Sequence, residues 1–167
     1  MSSLVFIKET TGSSVDAISV TDVFSADYDV YQIVIDKSGS TNNTSNVRFI
    51  KASDDSLIDA GYDWAYKNMY THTTHADSQQ GGQPEIQGAF GGVGTEGGGI
   101  SYVFNPFEAT YTYIIGQSSQ DAGSTTPATP AKSNGVLKNA VSVSGIRVLS
   151  GSGTYGTIRV RVYGVTR

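Results

Sequence analysis

Alternation of apolar and polar residues near the end of the chain constrains the fold more than any other feature. In the stretch 142–165, Ile158, Val160 and Val162 fall on one face of an extended chain, and polar residues separate them. Because successive side chains of a strand point to opposite faces, this pattern predicts a strand with one buried and one solvent-exposed face. A shorter alternating run, 146–148, precedes a Ser/Gly segment. We therefore predict an antiparallel hairpin that closes the sheet, with glycines in its turn.

Similar short runs recur along the chain and are separated by turn-forming residues. Further predicted strands cover residues 4–9, 15–24, 28–35, 47–52, 62–70, 84–90, 100–104, 111–115 and 136–143. A turn is predicted at 11–14, and surface loops are predicted at 36–45, 117–135 and most of 71–99. No helical periodicity of useful length is present. About ten short strands with turn chemistry between them predict an all-β fold, a two-sheet antiparallel β-sandwich.

The run 28–35 is unusual because both of its faces are apolar. Tyr31, Ile33 and Ile35 share one face, and Val30 and Val34 share the other. A strand that is apolar on both faces is typical of a central strand covered from both sides.

Composition supports one compact unit with many turns. The 167 residues include 20 Gly and 10 Tyr, only 16% are charged, and there is no Cys. This length predicts a single β-sandwich domain, 1–167, in which 1–14 forms an N-terminal arm or an edge strand. Neither a signal peptide nor an apolar run long enough for a membrane span is visible, so no membrane partner is expected.

The charges are distributed unevenly. All 15 acidic residues lie within 1–121, and from residue 122 onward all six charged residues are basic. These six residues are either solvated outer-face side chains or a basic surface for an acidic partner. We expect no nucleic acid partner, because the net charge is -4 and exposed aromatic residues do not alternate with the cations.

Several stretches resemble a known group of proteins. They are the terminal pair GIRV and GTIRV, the strand YDVYQIVID, the segment GYDWAY, and the run GGGISYVFNPFEATYTYIIGQ. In residue sequence and in order along the chain, these stretches resemble small jelly-roll virion structural proteins of tailed bacteriophages, which serve as capsid decoration (cement) proteins, head fibres or tail fibres. The resemblance implies a jelly-roll-like sandwich on the exterior of the phage particle, assembled in the host cytoplasm.

On this resemblance we expect a capsid decoration protein that binds and stabilises the shell of the major capsid protein, as a homotrimer. Its predicted capsid contacts are the N-terminal apolar residues and the C-terminal arginines: Leu4, Phe6, Arg147, Arg159, Arg161 and Arg167.

The alternative function is a tail fibre or receptor-binding module that recognises a host surface glycan. Its predicted platform is an aromatic stripe on one strand face: Tyr62, Trp64, Tyr66 and Tyr70. The competing interpretation places the same side chains in the core, because each aromatic ring buries a large area.

Chemistry beyond binding finds little support in the sequence. His72, His75 and Asp77 could ligate a divalent ion, as could the carboxylates of the acidic segment 54–63, but neither group has the spacing of a known site. No nucleophile motif lies in a strand–turn–helix context. We therefore predict a protein that is not an enzyme, with no catalytic residue, no cofactor and no metal.

Overall fold

In the computed structural model, the described residues are 3–39, 44–69, 75–90, 95–121 and 129–166. They form eleven strands: β1 Leu4–Val15, β2 Ala17–Val20, β3 Val30–Ser38, β4 Ser45–Lys51, β5 Tyr62–Asn68, β6 Ala76–Gln83, β7 Glu96–Phe104, β8 Thr112–Asp121, β9 Ala131–Leu137, β10 Val143–Ser150 and β11 Tyr155–Val165. Within these ranges, no helix is long and apolar enough to cross a membrane.

The strands form two antiparallel sheets. The large sheet has the order β1-β11-β3-β7-β8-β9-β5-β6, and the small sheet has the order β2-β10-β4. The first strands of the chain interleave with the last in both sheets, which is the connectivity of a jelly roll. The predicted all-β two-sheet sandwich is confirmed, and residues 4–14 of the segment predicted as an arm or edge strand lie in β1 at the edge of the large sheet.

One hydrophobic core fills the space between the sheets. Ile158, Val160 and Val162 of β11 and the inward face of β3 are buried against Val47 and Phe49 of β4. The alternation that predicted these strands also gives the correct buried face, because the pleat allows only every second residue to point inward.

The predicted terminal hairpin is wrong. β10 pairs with β2 and β4 in the small sheet, whereas β11 pairs with β1 and β3 in the large sheet. The segment 151–154 therefore crosses from one sheet to the other instead of reversing within one. The amide of Gly151 donates to the carbonyl oxygen of Thr44 at 2.9 Å, which fixes the start of the crossing.

Other boundaries also differ from the prediction. β1 continues through the predicted turn at 11–14, and β6 is a strand that its Gln, Ser and Gly residues did not indicate. The predicted strand 136–143 is divided between the end of β9 and the start of β10. Of the predicted loop 117–135, residues 117–121 lie in β8 and residues 131–135 lie in β9.

The segment 84–90 is a turn, not a strand. Only Ile86 forms a bridge, to Val47 of β4, and its side chain is fully buried. This turn fills the core beneath β7, β8 and β9, and thereby determines which side chains those strands can direct inward.

Candidate binding face on the large sheet

The outer face of the large sheet carries apolar residues where a sandwich normally meets water. Ile100 of β7 and Ile115 of β8 are 44% and 48% exposed. The inward positions beside them are small, namely Gly99, Ser101 and Gly116, whereas the inward Val103 and Ile114 are large and buried. Since sheets usually place large apolar residues inward, the pattern of these two strands is inverted locally, at Ile100 and Ile115.

The 84–90 turn explains this inversion. The hydroxyls of Ser101 and Ser133 both donate to the carbonyl oxygen of Ala89, at 2.8 and 3.0 Å. The side chain of Gln120 likewise donates to the carbonyl oxygen of Phe90, at 2.9 Å. The turn approaches the sheet so closely that only small or hydrogen-bonding side chains fit beneath it.

A row of directly paired residues crosses this outer face from β1 to β8. The row runs Phe6, Tyr163, Gln32, Tyr102 and Ile115 in register. The rings of Phe6 and Tyr163 meet edge to face at 5.7 Å between centroids, and the Gln32 amide donates to the Tyr102 hydroxyl at 2.7 Å. With strands about 4.8 Å apart, the five residues span roughly 19 Å.

The neighbouring row adds Val34 and Ile100, and both line a groove on this face. The prediction that β3 is a central strand is confirmed, because it lies third of eight in the large sheet. The prediction that both of its faces are covered is wrong, since Val34 on the outer face is only half-buried. We call these seven residues the apolar band: Phe6, Tyr163, Gln32, Tyr102, Ile115, Val34 and Ile100.

Four of the six predicted capsid contacts lie on this face. Leu4 and Phe6 are exposed at the start of β1. Arg159 is exposed opposite Asp36, and Arg161 forms an ion pair with the Asp36 carboxylate. The structure thus places apolar and cationic residues side by side along β1 and β11.

The other two predicted contacts lie elsewhere. Arg147 is in β10 of the small sheet, directly opposite Arg48 of β4, so it does not belong to the face that carries Leu4 and Phe6. Arg48 is neutralised by Glu85, whose carboxylate lies 3.1 Å from its guanidinium. Arg167 lies outside the described residues.

The structure does not form the predicted glycan platform, because two of its four aromatic residues are buried in the core. Tyr62 is fully buried and Trp64 is only 6% exposed, so neither can offer a ring face to a ligand. The Tyr62 hydroxyl accepts a hydrogen bond from the amide of Phe49 and donates to the carbonyl of Ile58, and burial raises its pKa. Tyr66 is partly buried and stacks on Trp64, and Tyr70 lies outside the described residues. The interpretation that the stripe fills the core holds for Tyr62 and Trp64.

Three of the acidic residues considered as metal ligands have other partners. Asp77 pairs with Lys67 at 3.5 Å, Asp54 accepts hydrogen bonds from Ser56, and Asp63 pairs with Lys138 at 2.7 Å. His72 lies outside the described residues. In the part of the chain that the structure describes, no three His, Asp or Glu side chains are grouped as a metal site would require.

The apolar band was not predicted as a site. The segments 100–104 and 111–115 were recognised as strands, but each carries large apolar residues on both faces, with Val103 and Ile114 opposite Ile100 and Ile115, so alternation does not say here which face is inward. Only the position of the 84–90 turn decides this, and its contact with the sheet is not encoded in a local pattern.

Comparisons with known proteins do not identify the chain. No family model and no curated protein matches it. Among solved structures, a protein of unknown function from Shewanella oneidensis MR-1 is 12% identical, with a TM-score of 0.27 over 98% of this chain and 75% of its own. The CBM2 module of the evolved Dit of Lactobacillus casei BL23 phage J-1 is 7% identical, with a TM-score of 0.26 over 90% of this chain and 70% of its own. Likenesses this weak carry no functional argument.

Proposed function

We propose that this chain is a structural protein of a tailed-phage virion, namely a capsid decoration protein that binds the outer shell through the outer face of its large sheet. The proposal combines the sequence resemblance with one structural observation. That observation is the local inversion of β7 and β8, which exposes Ile100 and Ile115 beside the aromatic residues of the apolar band.

The composition of this face favours a protein partner. Protein interfaces are enriched in aromatic residues and Arg at their centre, and large exposed apolar patches mark interaction sites. The band supplies Phe6, Tyr163 and Tyr102, and Arg159 and Arg161 lie at its margin. An acidic shell surface would complement these arginines and fix the orientation of docking.

The proposed action is mechanical and involves no catalysis. Because the protein would bind the assembled shell and not its dissociated subunits, burial of the interface would stabilise the shell by mass action. We further propose that the protein acts as a homotrimer on the exterior of the virion, since closed symmetry would match it to a local three-fold axis of a shell.

Binding to purified shells tests the proposal. Shells lacking the protein are mixed with wild type or with the double variant Ile100→Ser/Ile115→Ser, and bound protein is measured after sedimentation. We expect the wild type to saturate the shells and the double variant to lose most of its binding. The control is Phe107→Ser, which removes an exposed apolar side chain outside the band and should bind like wild type. Failure of the wild type to bind would refute the proposal.

Particle properties provide a second test. Particles assembled without the protein should lose resistance to heat or osmotic shock, and unchanged resistance would contradict a cementing role. Copy number separates this proposal from the tail fibre alternative, because a decoration protein is present in many copies and a fibre in few.

A further inference from the structure

We infer that the far end of the same sheet face, across β8, β9, β5 and β6, is a saccharide-binding site. The site is a groove, here called the trough, lined by Tyr113, Val136, Asp63, Asn134, Ala65 and Gln79. It adjoins the apolar band at β8, where Ile115 is paired with Asn134, and it does not depend on the proposed binding to a shell.

Two rows of directly paired residues build the trough. Tyr113, Val136 and Asp63 form one row, and Asn134, Ala65 and Gln79 form the next. Val136 and Ala65 are short side chains in the middle of their rows, whereas longer side chains stand on either side of them. The result is a floor of small apolar groups between a tyrosine ring at one end and polar side chains at the other.

The carboxylate of Asp63 is held in place before any ligand arrives. Its Oδ1 accepts a hydrogen bond from the amide of Gly82 at 2.8 Å, and its Oδ2 lies 2.7 Å from Lys138 Nζ. The hydrogen bond from Lys138, followed by that from Gly82, keeps the Asp63 pKa below its usual value. Gly82 has a φ of 67° and lies where the register between β5 and β6 shifts. Bulges of this kind re-aim side chains near functional sites.

This set of groups matches the chemistry of a sugar. Tyr113 is 49% exposed and offers an apolar ring with a polar tip, against which the C–H face of a pyranose can pack. The side-chain amides of Asn134 and Gln79 both donate and accept hydrogen bonds, and the anchored carboxylate accepts them, as vicinal hydroxyl groups require.

The β5 and β6 side of the trough can stay open while the β1 and β11 part of the apolar band is covered. Adjacent strands of a sheet are rotated by about 20–25°, so the five steps from β11 to β5 accumulate on the order of 100°. The two ends of this face therefore point in different directions, and a protein docked at β1 and β11 leaves Asp63, Ala65 and Gln79 accessible.

An array of purified bacterial O-antigen and capsular polysaccharides, both neutral and acidic, tests the inference with the labelled full chain. We expect wild type to bind at least one neutral polysaccharide, and Tyr113→Ala and Asn134→Ala to weaken that binding by about tenfold. The control is Tyr163→Ala, an aromatic residue of the apolar band three strands away, which should bind the array like wild type. Thermal melting of each variant establishes that it is folded.

Two results would overturn the inference. One is the absence of binding above background to every polysaccharide on the array. The other is binding confined to acidic polysaccharides and unchanged in Tyr113→Ala, since that would reflect attraction to surface lysines alone. Because shell binding is measured separately, loss of either activity leaves the other interpretable.

Discussion

Gly116 of β8 lies directly against the backbone of Ala89. A Cβ placed on Gly116 would overlap the carbonyl oxygen of Ala89 and come within 2.6 Å of the Ser101 hydroxyl oxygen. The same carbonyl accepts the hydrogen bonds of Ser101 and Ser133. This single close approach places the 84–90 turn on the inner side of the sheet, and the exposure of Ile100 and Ile115 on the outer side follows from it.

Gly116→Ala should therefore destabilise the protein. Overpacking of a well-filled interior costs roughly 1–3 kcal/mol, and for a chain of this length each kcal/mol lowers the melting temperature by about 2–4 °C. Thermal unfolding measures the change. Gln117→Ala, at the exposed neighbouring position, serves as the control and should leave the melting temperature within about a degree of wild type. A stable Gly116→Ala variant would contradict the close docking of the turn.

Tyr62→Phe should be destabilising although it removes only one oxygen atom. The hydroxyl satisfies both the amide of Phe49, at 2.9 Å, and the carbonyl of Ile58, at 3.1 Å, in the fully buried core. Leaving a buried polar group unsatisfied costs about 1–3 kcal/mol. Urea unfolding of Tyr62→Phe and of the exposed control Tyr111→Phe should show a clear loss of stability for the first and no measurable change for the second.

Glu85 should contribute more to stability than an exposed ion pair does. Its carboxylate accepts hydrogen bonds from the Asn46 side chain at 2.7 Å and from Arg48 Nε at 3.2 Å, and so ties the 84–90 turn to β4. We expect Glu85→Ala to lose about 1–3 kcal/mol of unfolding free energy. In contrast, Asp77→Ala breaks an exposed pair with Lys67 and should cost less than about 1 kcal/mol. Equal effects in denaturant titrations would show that Glu85 does not hold the turn.

Stability should rise between pH 8 and pH 10. Burial of Lys37 lowers its pKa from 10.5 to about 8, so in this range the unfolded chain binds a proton that the folded chain has released. The unfolding free energy therefore increases with pH, by up to about 3 kcal/mol for this group over its full range. Burial raises the pKa of Tyr155 to about 12, so above about pH 10, where tyrosines of the unfolded chain ionise, stability should fall again.

Lys37→Met should remove the rise, whereas the exposed control Lys132→Met should retain it. Unfolding free energies of the three proteins at pH 7.5, 8.5 and 9.5 measure the slope. The slope, not the absolute stability, is decisive, since the substitution also changes packing near the Tyr155 ring, 6.0 Å from the ammonium group.

The arginines at the margin of the apolar band should influence how fast the protein docks. Arg159 is exposed on that face, whereas Arg147 lies on the small sheet. We expect Arg159→Gln to slow association with shells and to weaken its dependence on salt, because exposed charges act mainly through steering. Arg147→Gln should leave the association rate unchanged. If the effects were reversed, the small sheet would be the docking surface.

Much of the fold could be predicted because alternation is local. The alternation of Ile158, Val160 and Val162 predicts both the strand and its buried face. β6 escaped prediction because its Gln, Ser and Gly residues form a polar edge strand, stabilised by pairing with β5 and not by burial. The terminal hairpin was predicted wrongly because a short Ser/Gly segment between two strands is compatible both with a reversal in one sheet and with a crossing between two.

The site was harder to predict than the fold. Leu4, Phe6, Arg159 and Arg161 were selected from their chemistry, and the structure gathers them on one face. Ile100 and Tyr113 were visible as strand residues, but their exposure depends on contacts between the sheet and a turn remote in sequence. Trp64 was predicted as a platform residue but is buried, because an aromatic side chain suits a binding platform and a core equally well.

The crossing of β10 and β11 between the two sheets has a mechanical consequence. In three places, consecutive strands lie in different sheets: β1 and β2, β3 and β4, and β10 and β11. The chain therefore connects the two layers at several points. A force that separates the layers cannot remove β1 to β4, β10 or β11 from one sheet alone, because each of these strands has a sequence neighbour in the other sheet. These strands should therefore resist pulling until both layers separate together.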